Sequence, residues 1–469
     1  MTEQTTDVIV IGAGAVGENA AARIVRGGLS VVLVESELVG GECSYWACMP
    51  SKALLRPGAA LNAARAVAGS REAVTGTLDF QQVLARRDEF TSHWDDSSQV
   101  DWVKDTGITL IRGMARLTGE RHVEVTNDDG ATRLLARHAV VLATGSTPSV
   151  PPIDGLSELA FWGTREATSA KEVPESLTVL GGGVAGAELA QAYARLGSRV
   201  TLIARSGLLG NYPGQASALV GKGLERDGVT LLLNTGTQSV HDGGGRFRVV
   251  LSDGQVVQSE KLLVSTGRHP ALAGLGLESL DLDPKGLDTD ESGQVAAHPW
   301  LYAVGDAAGK VLLTHQGKYE ARMTGDAIVA RSKGQLDGPP ERWSAFAATA
   351  DTYAVPQVVF TDPEIVMAGR TLEAAQKDGL NVSETSLEIA VAGSSLHADN
   401  YEGWAQMVVD EDRKVLVGVT FAGPDVAELL HAATIAIVGE VPLDRLWHAV
   451  PAYPTINEVW LRLLEKYGL

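Results

Sequence analysis

A strand-like run closed by a glycine cluster occurs twice in this chain, and that repeat limits the fold more than any other feature. Asp7-Val8-Ile9-Val10-Ile11 leads into Gly12-Ala13-Gly14-Ala15-Val16-Gly17, then into helix-forming residues from about Glu18 to Arg26 and a second apolar strand, Val31–Val34. Leu177-Thr178-Val179-Leu180 leads in the same way into Gly181-Gly182-Gly183-Val184-Ala185-Gly186, a helix over Ala187–Leu196 and a strand over Val200–Ile203. Strand, tight turn, helix and parallel strand form a βαβ unit. In such a unit the glycines allow a tight turn, close approach of a pyrophosphate and close helix packing, with the phosphates on the helix N-terminus. Two units imply an α/β chain with two nucleotide-binding lobes.

The two units differ where a ribose would sit. Glu35 closes the second strand of the first unit and would accept hydrogen bonds from ribose hydroxyls. The matching interval after Gly181 ends on Ala204, with Arg205 next. Loss of the carboxylate removes repulsion from a 2′-phosphate and the guanidinium attracts it, so NADPH is expected over NADH. The competing reading of Arg205 is a solvated surface arginine, and Asn211 adds no second charge.

At roughly 150 residues per domain, 469 residues correspond to about three domains. Helix-rich sequence runs from Pro50 to about Val103, and Ala139–Leu142 is a strand ending in Ala143-Thr144-Gly145-Ser146, with Pro148, Pro151 and Pro152 after it. Leu262–Val264 followed by Ser265-Thr266-Gly267-Arg268 echoes that ending, and the chain is expected to return there to the first lobe. Leu301–Val304 is a further buried strand ending in Gly305-Asp306. Pro339-Pro340 marks a linker into a last domain of strands (406–409, 415–421) and helices (426–438, 456–466). The expected division is 1–150 with 271–340, then 151–270, then 341–469.

Lys plus Arg at 39 against Asp plus Glu at 58 gives a formal charge of −19, which repels nucleic-acid backbones and anionic lipid. No apolar run reaches the ~18 residues of a membrane span, and Met1-Thr2-Glu3-Gln4 lacks a leader's basic residues, so a cytoplasmic location is expected. Only two cysteines are present, Cys43 and Cys48, in Gly40-Gly41-Glu42-Cys43-Ser44-Tyr45-Trp46-Ala47-Cys48-Met49-Pro50-Ser51-Lys52. Positions five apart in an ideal helix have Cα atoms roughly 8 to 9 Å apart, beyond disulfide reach, so a working pair requires a loosened turn around Cys43. Two buried reduced thiols or a metal pair are the alternatives, although no Cys/His cluster surrounds them.

Cys-x4-Cys-x-Pro-Ser-Lys directly after a glycine unit, the two Thr-Gly echoes, Val304-Gly305-Asp306 and the second glycine unit together resemble the class I pyridine nucleotide-disulfide oxidoreductases, the family of dihydrolipoamide dehydrogenase, glutathione reductase and mercuric reductase. The resemblance implies two Rossmann-like nucleotide-binding domains, for FAD and NAD(P), and a C-terminal α+β dimerisation domain that completes the active site of the other subunit of a homodimer. It implies FAD on Gly12, Gly14, Gly17, Glu35, Gly41, Lys52, Thr144, Gly145, Gly305 and Asp306, the last reaching the ribityl chain. His315 is placed near the flavin pyrimidine, with a structural histidine as the alternative. NADPH falls to Gly181, Gly183, Gly186, Arg205 and Gly267, and Lys52 with Glu188 to the ion pair beside flavin N5. Cys48 becomes the flavin-facing thiol and Cys43 the substrate-facing one.

The chain departs from the pattern at Ala452-Tyr453-Pro454-Thr455-Ile456-Asn457-Glu458, where Tyr453 replaces the usual acid–base histidine and Glu458 has no imidazolium to orient. Histidine near pKa 6.5 exchanges a proton at neutral pH, whereas tyrosine near 10 mainly donates a hydrogen bond. His448 lies near in sequence but on the other side of Pro451. A tyrosine here is similar to mercuric reductase, yet the C-terminal cysteine pair of that enzyme is missing, and no metal-binding module is expected before the first strand. The expected function is transfer of electrons from NADPH through flavin to a Cys43–Cys48 disulfide and on to a small oxidised acceptor. The alternatives are a quinone or metal-ion reductase in which the cysteines are dispensable, a flavin-bound redox sensor with negligible turnover, and carbon–carbon chemistry of a carboxylating relative.

Overall fold

The structure, a computed structural model, describes residues 3–469. Met1 and Thr2, part of the segment that lacks a leader's basic residues, lie outside them. The chain divides into two compact units. One holds the chain up to Pro50 with Asp88–Ser149 and Arg268–Asp351, and the other holds Ser51–Arg87, Val150–Gly267 and Thr352–Leu469.

The first unit is built on an eight-stranded sheet. Glu3–Ile11 is central, flanked in parallel by Val31–Glu35 and Gly130–Leu142, with Thr109–Arg112 and His298–Ala303 parallel beyond them. Ile9 faces both Val32 and Val140 across the ladders. Val8, Ile9 and Val10 are fully buried, because both faces of a central parallel strand are covered; the strand therefore reads as one apolar run. Ala20, Ala21 and Ile24 of helix Ala15–Arg26 and Ala321 and Ile328 of helix Thr314–Ser332 belong to the core on one face. Gly325 brings these helices together, since a Cβ there would lie 2.9 Å from Cβ of Arg23. His298–Ala303 returns the chain to this sheet after the second glycine unit.

The second unit contains a four-stranded parallel sheet in the order Thr230–Leu232, Arg199–Ile203, Ser176–Leu180, Lys261–Val264. Helix Val184–Arg195 packs on it and is buried from Gly186 to Tyr193. A five-stranded antiparallel sheet follows, in the order Pro356–Val359, Glu364–Gly369, Val415–Gly423, Trp404–Asp410, Val382–Glu388. Ser51–Arg87 joins this unit because Leu54, Leu55, Val83 and Leu84 pack on Ala192 and Leu196. The last helices begin later than the sequence pattern implies: Ala427–Leu429 is a 3₁₀ turn before helix Leu430–Val438, and the final helix is Glu458–Tyr467. No helix among the described residues is long and apolar enough to cross a membrane.

Candidate active site

The first glycine turn is held by steric necessity. Gly12 has φ +100, and a Cβ there would lie 2.3 Å from the carbonyl oxygen of Ala143; one on Gly17 would lie 1.8 Å from that of Gly12. The middle glycine differs, because its Cβ direction is open, with Cα of Gly41 the nearest atom at 3.9 Å. Gly41 faces it at φ +59, and a Cβ on Gly41 would close to 2.8 Å from Cα of Gly14. The two form a side-chain-free cradle at the start of helix Ala15–Arg26, the arrangement that a pyrophosphate needs. Glu35 lies beside it, accepting hydrogen bonds from the backbone N–H of Ala13 (2.6 Å) and of Glu37 (2.8 Å). These residues fit the adenosine diphosphate half of FAD.

The other first-unit candidates surround Ser146. Its hydroxyl donates to Asp306 Oδ2 at 2.5 Å and accepts from Arg268 Nε at 2.8 Å. Thr144 donates to the Ala271 carbonyl (2.8 Å), Gly145 takes φ +75, and Gly305, at φ +63, donates its N–H to Glu320 (2.7 Å). Asp306 is thus already tied to Ser146 and, through it, to Arg268, a link that the sequence pattern does not reveal.

The cysteines sit at a break between two helices. Cys43 lies in the short helix Gly41–Tyr45 and Cys48 opens helix Cys48–Arg65. Between them Trp46 turns out of helical geometry at φ −137, and the N–H groups of Trp46 and Ala47 both reach the Glu42 carbonyl, at 2.8 and 2.7 Å. This is the loosened turn that the spacing demands. A hydrogen bond to Cys48 pushes the Cys43 thiol well above its usual range; burial and the Cys48 charge add to the effect, while Thr314 and Lys318 oppose it. Cys48 Sγ lies 3.3 Å from Thr314 Oγ1, at the start of the helix whose second residue is the exposed His315.

In the second unit Lys52 Nζ lies 2.7 Å from Glu188 Oε2. Glu188 is 3% exposed, and its other oxygen accepts the Phe360 N–H at 2.9 Å. Gly181 (φ +125) and Gly186 repeat the contacts of Gly12 and Gly17: a Cβ would lie 2.4 Å from the Ser265 carbonyl oxygen in the first case and 2.1 Å from that of Gly181 in the second. Gly183 has nothing within 4 Å of its Cβ direction, which again leaves room for phosphates. Ala204 is buried, Arg205 exposed, and Gly267 left-handed at φ +121. Tyr453 is 78% exposed, before a cis bond to Pro454. Glu458 opens the last helix with one oxygen on Arg462 at 2.6 Å and the other buried without a hydrogen-bond partner. Among the described residues no cluster of three or more His, Cys, Asp or Glu could hold a metal.

Two residues here escape motif reading: Thr314 and Glu18. Burial drives Glu18 up to about 7, partly offset by Lys318 and reinforced by Glu35, and its Oε1 has no partner. An acid directly after the third glycine is the one sequence signal that could have marked it.

A model of the pyridine nucleotide-disulphide oxidoreductases matches residues 6–325, and that of their dimerisation domain matches residues 355–463. Dihydrolipoyl dehydrogenase of Chlorobaculum tepidum is 31% identical over 96% of this chain and 95% of its own. Mercuric reductase of Acidithiobacillus ferrooxidans is 30% identical over 97% of this chain and 81% of its own. Among solved structures, the Cu(II) complex of the HOCl-induced flavoprotein disulfide reductase RclA from Escherichia coli has a TM-score of 0.83 at 22% identity over 99% of each chain. LpdA from Mycobacterium tuberculosis has 0.83 at 21% over the whole of both. Fold and relatives define an FAD-dependent, NAD(P)H-using oxidoreductase. The chain belongs to the pyridine nucleotide-disulphide oxidoreductase family and carries the dimerisation domain through which the family forms homodimers.

Proposed function

We propose that this protein is an NADPH-driven reductase of disulfides or similar small oxidised acceptors, working through a Cys43–Cys48 dithiol. The observation that carries the reading is the thiol pair itself: hydrogen-bonded to one another and half-buried, with Cys43 on the same short helix as Gly41 of the cradle and Cys48 beside the Thr314 hydroxyl. The division proposed with it is an FAD-binding domain of 1–150 and 271–340, an NADPH-binding domain of 151–270 and an interface domain of 341–469. Gly12, Gly14, Gly17, Glu35, Gly41, Thr144, Gly145, Gly305, Asp306 and His315 would hold FAD, and Gly181, Gly183, Gly186, Arg205 and Gly267 would hold NADPH. FAD, when bound, supplies acceptance of a hydride from NADPH and delivery of the electron pair to the disulfide. Lys52, paired with Glu188, would present a positive charge for the anionic reduced flavin.

Two thiols this close do not both ionise readily, so the pair keeps one proton. The hydrogen bond to Cys48 and burial push the Cys43 thiol up, and the Thr314 hydroxyl 3.3 Å from Cys48 Sγ can donate to a thiolate there. Cys43 then attacks the acceptor disulfide after losing its proton: one S–S bond breaks as the mixed disulfide forms, and Cys48 thiolate attack on Cys43 releases the second thiol. Tyr453 of the other subunit would donate a hydrogen bond to the departing thiolate, with Glu458 behind it. An anaerobic titration with one equivalent of NADPH should raise a long-wavelength thiolate-to-flavin absorbance that Cys48→Ser removes; a band that survives in that variant defeats the reading.

A second reading has a quinone or metal ion take the electrons without Cys43, which would leave no thiol needing protonation and so no need for the histidine that Tyr453 replaces. Reductase activity with those acceptors would then persist in Cys43→Ser while disulfide reduction disappears.

A further inference from the structure

We infer that Phe360 is the positioning residue for the Lys52 ammonium, an inference that rests on the proposed role of Lys52 and Glu188 beside the flavin. Glu188 is immobile: it sits 3% exposed on a buried stretch of helix Val184–Arg195, with both oxygens engaged. Lys52 is not fixed by this pair alone. Its side chain is 35% exposed, and a flexible four-carbon stem allows an ammonium to meet one carboxylate oxygen from many directions. Phe360 removes that freedom. Its ring centroid lies 4.8 Å from Lys52 Nζ, within cation–π range, while its own N–H holds the second oxygen of Glu188 at 2.9 Å.

One residue therefore grips both members of the pair, the cation by its ring and the anion by its backbone. The ring is 39% exposed, so its place is set by the backbone that follows it. Asp362 N–H donates to Gln191 Oε1 (2.8 Å), Gln191 Nε2 donates back to the Asp362 carbonyl (2.8 Å), and Arg195 pairs with the Asp362 carboxylate (2.7 Å). Gln191 and Arg195 stand on the same helix as Glu188, so the Phe360–Asp362 segment and the carboxylate share one rigid reference.

Phe360→Leu keeps the N–H to Glu188 and removes only the ring. In the FAD-loaded protein we expect hydride transfer from NADPH, followed by anaerobic stopped flow, to slow about five-fold, and the equilibrium constant for flavin reduction, read by redox titration, to fall about five-fold. Phe360→Trp should stay within about two-fold of the parent, and fluorinated phenylalanines at 360, which keep the shape and weaken the ring quadrupole, should give graded losses even where Phe360→Leu folds poorly. In a Lys52→Met background, Phe360→Leu should add nothing. A Phe360→Leu effect of equal size in that background, or fluorination without effect, overturns the inference while leaving the role of Lys52 intact. A Lys52→Met protein with an unchanged flavin equilibrium instead overturns the underlying reading.

Discussion

Tyr453 stands where the disulfide-reductase pattern has a histidine, and the chemistry of its side chain decides what it can contribute. A phenol can donate a hydrogen bond to a departing thiolate but lacks the second nitrogen through which an imidazole is held and oriented by a carboxylate. Its loss should therefore weaken one step without stopping it. Tyr453→Phe is expected to slow disulfide reduction about ten-fold, the value of one hydrogen bond, while NADPH-dependent flavin reduction measured by stopped flow stays unchanged. Arg205 makes an equally local prediction. It is exposed beside the buried Ala204, so its charge is free to meet a 2′-phosphate. Arg205→Glu should lower kcat/KM for NADPH at least about ten-fold and leave that for NADH within about three-fold, since repulsion replaces attraction only for the phosphorylated cofactor. Equal losses for both nucleotides would assign Arg205 a structural role.

At the scale of the element, the two glycine turns divide into glycines that hold the chain and glycines that make room. Gly17 and Gly186 allow no Cβ, which would overlap carbonyl oxygens at 1.8 and 2.1 Å, so Gly17→Ala should give a protein recovered without flavin. Gly183 faces open space; Gly183→Ala should fold with its flavin and lose NADPH affinity, measured by the nucleotide concentration needed for half-maximal reduction. This division was legible in the sequence because it follows from spacing along a single strand–turn–helix. The cysteine turn was legible for a similar reason, five residues being too far across a regular helix. The contacts of Phe360 were not, because its partners Lys52 and Glu188 lie on segments distant from it in the chain. Nor was the attachment of Ser51–Arg87 to the second unit: helical patterning marks which residues of that stretch are apolar, not that Leu54 and Leu84 meet Ala192 and Leu196.

For the whole molecule, a formal charge of −19 sets a background in which buried carboxyl groups resist ionisation. Burial pushes Glu364 up to about 7; the Ala427 N–H opposes the rise, and Asp425, Asp362 and Glu428 add to it. Burial raises Glu18 similarly, and Glu320 and Asp351, which share a hydrogen bond, are both shifted upward mainly by burial. A carboxyl group with a folded pKa above its ordinary 4.5 binds more protons folded than unfolded between those two values. Its stabilising contribution is therefore complete below about 4.5 and is lost as pH rises through about 7. Carboxylates shifted downward, such as Asp7 and Glu411, matter only below their ordinary range and leave this window to the raised groups. Thermal unfolding should accordingly occur at higher temperature at pH 5.5 than at pH 8, and relief of charge repulsion on acidification acts in the same direction. Glu364→Gln keeps an acceptor for the Ala427 N–H at 2.9 Å and removes the titration, so it should flatten the slope between pH 5 and pH 7.5 by about 1 to 3 kcal/mol of unfolding free energy. A slope unchanged in that variant would mean that Glu364 is ionised in the folded protein throughout this range.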